Sequence, residues 1–112
     1  MNPIRVGLLN FESLILNSKL PVLLVFGAIW DRKSSTLFYV LDQIAEKYDG
    51  HIITGKVDYD YVPDIFTDCG IKVLPTMIFF EDGKEIMRHE GMYGSNDIEE
   101  FIRRFYGVSP NW

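Results

Sequence analysis

Gly70-Ile71-Lys72-Val73-Leu74-Pro75-Thr76-Met77-Ile78-Phe79-Phe80-Glu81-Asp82-Gly83-Lys84 holds a strand, a turn and the start of a second strand in one short stretch. Thr76 to Phe80 is apolar and β-prone, and Asp82-Gly83 is a strong hairpin signal, so residues 85–90 are expected to pair antiparallel with 76–80. Upstream, Val22-Leu23-Leu24-Val25-Phe26 follows Pro21 as an unbroken apolar run, which suits a strand covered on both faces. Leu37, Val40, Leu41, Ile44 and Ala45 then recur at helical spacing, predicting a helix over 34–48 that ends before Gly50. Residues 52–57 read as a further strand, taken as the central one. Two strands joined by such a helix form a right-handed, parallel βαβ unit. An antiparallel hairpin following a parallel unit makes the sheet mixed.

The remaining elements follow from local signals. Residues 4–6 read as a short first strand. Residues 10–17 read as a short helix capped by Asn10, with Phe11, Leu14 and Ile15 on one face. A short helix is expected over 63–69, with Pro63 in its first turn. Gly94-Ser95-Asn96-Asp97 opens a last helix, with Ser95 as its cap and Ile98, Phe101, Ile102 and Phe105 as its apolar stripe. The order is βαβαβαββα: a single α/β domain over residues 1–112, a central mixed sheet with helices on both faces.

The chain has 112 residues and is 47% hydrophobic and 14% aromatic, enough for a substantial core. A net charge of −5 opposes nucleic acid or an anionic membrane surface as a partner. The longest apolar run is far shorter than a membrane span, and no signal-peptide pattern is read at the N-terminus. One cysteine, Cys69, forms no internal disulfide, so a cytoplasmic setting is the default. His51 and His89 lie far apart with no accompanying cluster, so neither a metal site nor a cofactor is expected. The sequence does not speak to the oligomeric state.

Several segments together resemble the thioredoxin family. Pro21 to Asp31 is similar to the family's strand leading into its active-site motif. Leu41-Asp42-Gln43-Ile44-Ala45 resembles its long helix, and Lys56-Val57-Asp58 the end of its central strand. Gly70 to Thr76 matches its Gly-Ile-x-x-x-Pro-Thr stretch, and Phe79-Phe80-x-x-Gly83 and Gly91 fall in place after it. The resemblance covers about residues 10–105 and implies the thioredoxin fold.

The family's motif reads Trp-Cys-Gly-Pro-Cys, where this chain has Trp30-Asp31-Arg32-Lys33-Ser34. Asp31 and Ser34 thus stand where the resemblance implies a nucleophilic and a resolving thiol. Neither a carboxylate nor a hydroxyl exchanges disulfides. Val25 takes the place of the family's buried acid, and Tyr39 that of a proline that kinks the helix.

The remaining candidates divide between packing and contact. Asp31 suits a helix N-cap at the positive end of the dipole, or a mimic of the thiolate charge. Trp30 borders the family's substrate groove. The residues alone favour a trans bond before Pro75, since about 5–6% of X-Pro bonds are cis; the resemblance implies cis. A cis bond leaves Leu74 with free backbone groups that could pair with an extended peptide by strand addition. Gly91, Met92 and Tyr93 fall on the loop beside the groove. Arg32 and Lys33 read as solvated cations or as selectors of acidic partners, and Tyr59 and Tyr61 as loop residues or added contact surface. Cys69 suits a small buried residue.

The expectation is a redox-inactive, thioredoxin-like domain, not a disulfide oxidoreductase. It would bind a protein or extended peptide around Trp30, Asp31, Val73, Leu74, Pro75, Gly91 and Met92, in an adaptor, assembly or chaperone-like role. The alternatives are thiol-disulfide chemistry through Cys69 and a splicing-type scaffold, which also carries Trp-Asp after this strand.

Overall fold

A computed structural model describes residues 3–111. In chain order the elements are β1 (Ile4–Arg5), α1 (Phe11–Asn17), β2 (Val22–Gly27), α2 (Arg32–Lys47), β3 (Ile53–Asp58), α3 (Pro63–Asp68), β4 (Thr76–Glu81), β5 (Lys84–Glu90) and α4 (Ser95–Phe101). A π-helical turn over Ile102–Tyr106 continues α4. The order matches the expected βαβαβαββα.

The five strands lie in the order β1-β3-β2-β4-β5. β1 and β2 run parallel to β3, while β4 runs antiparallel to both β2 and β5. The central strand is therefore β2, a correction to the expectation for 52–57. All six residues of β2 are buried, which is what an apolar run without alternation encodes.

Period-two alternation sends β2 to two cores. Leu23 and Val25 face α2 and α4, with Leu37, Phe38, Leu41, Ile44, Ile98 and Ile102. Val22, Leu24 and Phe26 face α1 and α3, with Ile15, Ile65 and Phe66. Met77 and Phe79 of β4 join the first cluster, Ile78 and Phe80 the second. Each such side chain contributes about 1.5–3 kcal/mol when fully buried.

Three local readings are corrected. Asn10 precedes α1 but caps nothing: its Oδ1 accepts from the Gly7 N–H at 2.8 Å, so its side chain closes the preceding turn. Ser95 is the first residue of α4, and Gly94 takes the cap position with no side-chain bond. Phe105 remains partly exposed, and Tyr106 is buried instead. The π turn is wider than an α turn, so it rotates residue 105 outward and residue 106 inward.

Candidate functional site

Four segments meet at one end of the sheet, and strand register explains why. β2 and β3 end side by side, with Gly27 opposite Asp58. β4 runs the other way, so its first residue, Thr76, lies opposite Phe26 of β2 and Glu90 of β5. The loops carrying Trp30, Tyr59, Leu74 and Gly91 therefore converge. The Tyr59 N–H donates to Gly27 O at 2.8 Å and the Gly91 N–H to Pro75 O at 2.7 Å, joining these loops in pairs.

Asp31 is the N-cap of α2. Its Oδ2 accepts from the Ser34 N–H at 2.9 Å and from the Ser34 hydroxyl at 2.7 Å. Those two bonds, the hydroxyl's first, hold the carboxyl below its usual range. Ser34 is fully buried. Gly27 lies directly behind it: a Cβ there would sit 2.7 Å from Ser34 Cβ and Oγ. Arg32 and Lys33 are exposed and make no ion pair among the described residues.

Trp30 is 66% exposed, an unusual state for so large an apolar ring. It borders a cavity of about 300 Å³ lined also by Tyr59, Phe66, Ile71, Lys72 and Leu74. Tyr59 meets Phe66 edge-on at 5.2 Å, which fixes the cavity wall. The Leu74–Pro75 peptide is cis. The Val73 carbonyl accepts from the Thr76 hydroxyl at 2.6 Å, whereas no described residue bonds to the N–H or C=O of Leu74. Val73 and Met92 are partly exposed at the surface.

Gly91 has a φ of +92°, a left-handed conformation that costs glycine little. Tyr93 turns out to belong elsewhere: it stacks on His89 at 4.0 Å and packs on the core between α2 and α4. The sequence reading did not single out Phe66, Ile71 or Lys72 for this site. Tyr59, read from the sequence as a loop residue or added contact surface, lines the cavity.

Cys69 is half-buried, and Arg88 Nη2 donates to its carbonyl at 3.0 Å. Burial pushes its thiol up, Asp68 and Glu85 add to this, and Arg88 opposes them. Val25 is fully buried among Leu37 and Phe38, and Tyr39 is exposed on an uninterrupted α2. Among the described residues no group of His, Cys, Asp and Glu converges as a metal site would require, and no helix is long and apolar enough to cross a membrane.

The Thioredoxin family model matches residues 4–104. A thioredoxin from Chlorobaculum thiosulfatiphilum is 34% identical over 98 residues, covering 88% of this chain and 91% of that protein. Thioredoxin M5, chloroplastic, from Oryza sativa subsp. japonica is 37% identical over 76 residues, covering 68% of this chain and 44% of that protein. This chain spans about half the length of such chloroplast relatives. Their location does not match the cytoplasmic default. A crystal structure of chloroplastic thioredoxin z, described as defining a type-specific target recognition, superposes with a TM-score of 0.86. It is 25% identical and covers 96% of this chain and 97% of that one.

These relatives correct one expectation. They are named thioredoxins, a family of disulfide oxidoreductases, so the reading that the chain is not such an enzyme is overturned, and its relatives point to redox chemistry. The one thiol in the sequence is Cys69. Matched from residue 4 to residue 104 and sharing the fold of a solved relative, the chain belongs to the thioredoxin family.

Proposed function

We propose that the groove bounded by Trp30, Leu74, Pro75, Gly91 and Met92 holds an extended segment of a protein partner. The observation that carries this reading is the cavity of about 300 Å³ between Trp30, Tyr59, Phe66, Ile71, Lys72 and Leu74. It is walled by aromatic and aliphatic side chains and opens beside backbone groups of Leu74 that no described residue uses. That combination suits strand addition: main-chain bonds to Leu74 give affinity, and a side chain in the cavity gives selectivity. Trp30 supplies a large, rigid contact of the kind that dominates binding energy at interfaces. The thioredoxin z structure, described in terms of target recognition, supports a target-binding role for this fold.

Asp31 takes part through α2, whose start it caps one residue after Trp30. Cys69 lies at the end of α3, and redox chemistry at this chain's own thiol would run there. The partner class is protein.

The test is fluorescence anisotropy with labelled, carboxymethylated insulin B chain, an extended polypeptide whose own thiols are blocked. Saturable binding is expected. Trp30→Ala is expected to weaken it about tenfold or more, the effect of truncating an interface aromatic. Binding that is equal in the native and Trp30→Ala proteins would refute the groove.

A further inference from the structure

A second cavity of about 300 Å³ lies on the other side of the two loops that carry Trp30 and Tyr59. It is lined by Pro3, Arg5, Ile29, Phe38, Lys56 and Asp58. Trp30 and Tyr59 line the groove cavity, while their chain neighbours Ile29 and Asp58 line this one. The two loops form a thin ridge tied by the Tyr59 N–H to Gly27 O bond of 2.8 Å. Ile29, on this ridge, is 69% exposed.

The side chains lining the two cavities are on balance basic, although the ridge loops also carry Asp31 and Asp60. The chain carries −5 overall, yet the two cavities are lined by Arg5, Lys56 and Lys72 against the single carboxylate of Asp58. Two of these groups are already engaged. Lys56 Nζ is 2.7 Å from Asp42 Oδ1, and Asp58 Oδ1 accepts from the Asp60 N–H at 3.1 Å. Arg5 has no carboxylate within ion-pair distance among the described residues. Its guanidinium lies 4.3 Å from the centroid of the Tyr61 ring, a cation–π contact that leaves its N–H donors available. A guanidinium with free donors is suited to bidentate binding of a carboxylate.

We infer that this second cavity receives an aspartate or glutamate side chain from the same extended segment whose apolar side chain fills the groove cavity, with Arg5 as the recognising group. This rests on the groove reading and adds the partner's chemistry: an apolar anchor with an acidic residue at a fixed offset, read across the Ile29–Trp30 ridge.

The experiment uses an array of short Gly/Ser peptides, each with one Phe and with Glu, Gln or Lys walked through the other positions. Glu is expected to bind about threefold better than Gln at one offset from Phe, the effect of an exposed ion pair. In Arg5→Gln that preference is expected to vanish, and in Arg5→Glu to pass to Lys. Arg5 is exposed on an edge strand, so the fold should survive. Independently, the ring resonances of Phe38 should shift on adding the Glu peptide and not the Gln peptide. Trp30-dependent binding with no preference for Glu, or a preference unchanged in Arg5→Glu, overturns this inference and leaves the groove standing. Absence of Trp30-dependent binding overturns both.

Discussion

Asp31 and Ser34 hold each other through a single carboxylate oxygen, which accepts both the Ser34 N–H at 2.9 Å and the Ser34 hydroxyl at 2.7 Å. These are the two positions where the family carries its thiols. In this chain they form the cap of α2, so their coupling should appear in stability. Asp31→Ala is expected to lower the melting temperature at pH 7. The Asp31 carboxyl titrates below its usual range in the folded chain, so its contribution is complete above the ordinary carboxylate value of about 4. It is lost as pH falls through the lowered folded value. Thermal unfolding at pH 7 and near pH 2 should therefore show the gap between native and variant narrowing in acid. An equal gap at both pH values would show that the charge contributes nothing.

Gly27 is set by the same pair from behind. A Cβ at this position would lie 2.7 Å from Ser34 Cβ and Oγ and 3.1 Å from Phe38 Cζ. Gly27→Ala is thus expected to cost about 1–3 kcal/mol as an overpacking substitution. Adding Ser34→Gly removes the nearer obstacle, so the double variant should lose less than the two single changes combined. Urea denaturation of the four proteins checks this, and simple additivity would contradict the contact.

Tyr106 ties the C-terminal turn to the sheet. Its buried hydroxyl donates to Val22 O at 2.7 Å and is 3.1 Å from Phe80 O, linking β2 and β4 at one point. Tyr106→Phe keeps the ring and loses those bonds, so a loss of about 1–2 kcal/mol is expected by chemical denaturation. Burial also pushes this phenol far above its usual range, and Tyr48, buried and bonded to Glu99, is pushed up to about 12. Both favour the protonated form when folded. Their contribution is whole below about pH 10 and falls as pH rises beyond it, where the unfolded chain ionises first. The alkaline fall in stability should be shallower in Tyr106→Phe. An unchanged alkaline slope would contradict burial of the hydroxyl.

What was legible in the chain follows the range of the interaction. The strands over 22–27 and 76–81, the hairpin at Asp82-Gly83 and the Asp31 cap depend on neighbours a few residues away, and each lies where the sequence places it. Asn10 and Ser95 have the right residue types for caps, but the choice among bonding partners was made by the Gly7 turn and by Gly94. Periodicity assumed a constant turn, so it could not show the widened turn that replaces Phe105 by Tyr106 in the core. Trp30, Leu74, Pro75, Gly91 and Met92 were reached through resemblance. Phe66, Ile71, Lys72 and Arg5 were not, because only the packing of α3 and β1 brings them beside the ridge.

The last expectation concerns Cys69, the one thiol in the sequence. Its thiol is raised by burial and by Asp68 and Glu85, so at pH 7 it is mostly protonated, and the thiolate is the reactive form. Alkylation by iodoacetamide at pH 7 should be slower than that of free cysteine, and should rise about tenfold per pH unit until the thiol ionises. Arg88 is the one neighbour stabilising the thiolate, so Arg88→Ala should slow the reaction further. Any reduction of insulin by this chain, followed by turbidity with a dithiol donor, should share that alkaline rise and disappear in Cys69→Ser. Activity that survives in Cys69→Ser would break the link, since the sequence holds no other thiol. A fast reaction at pH 7 would contradict the raised thiol.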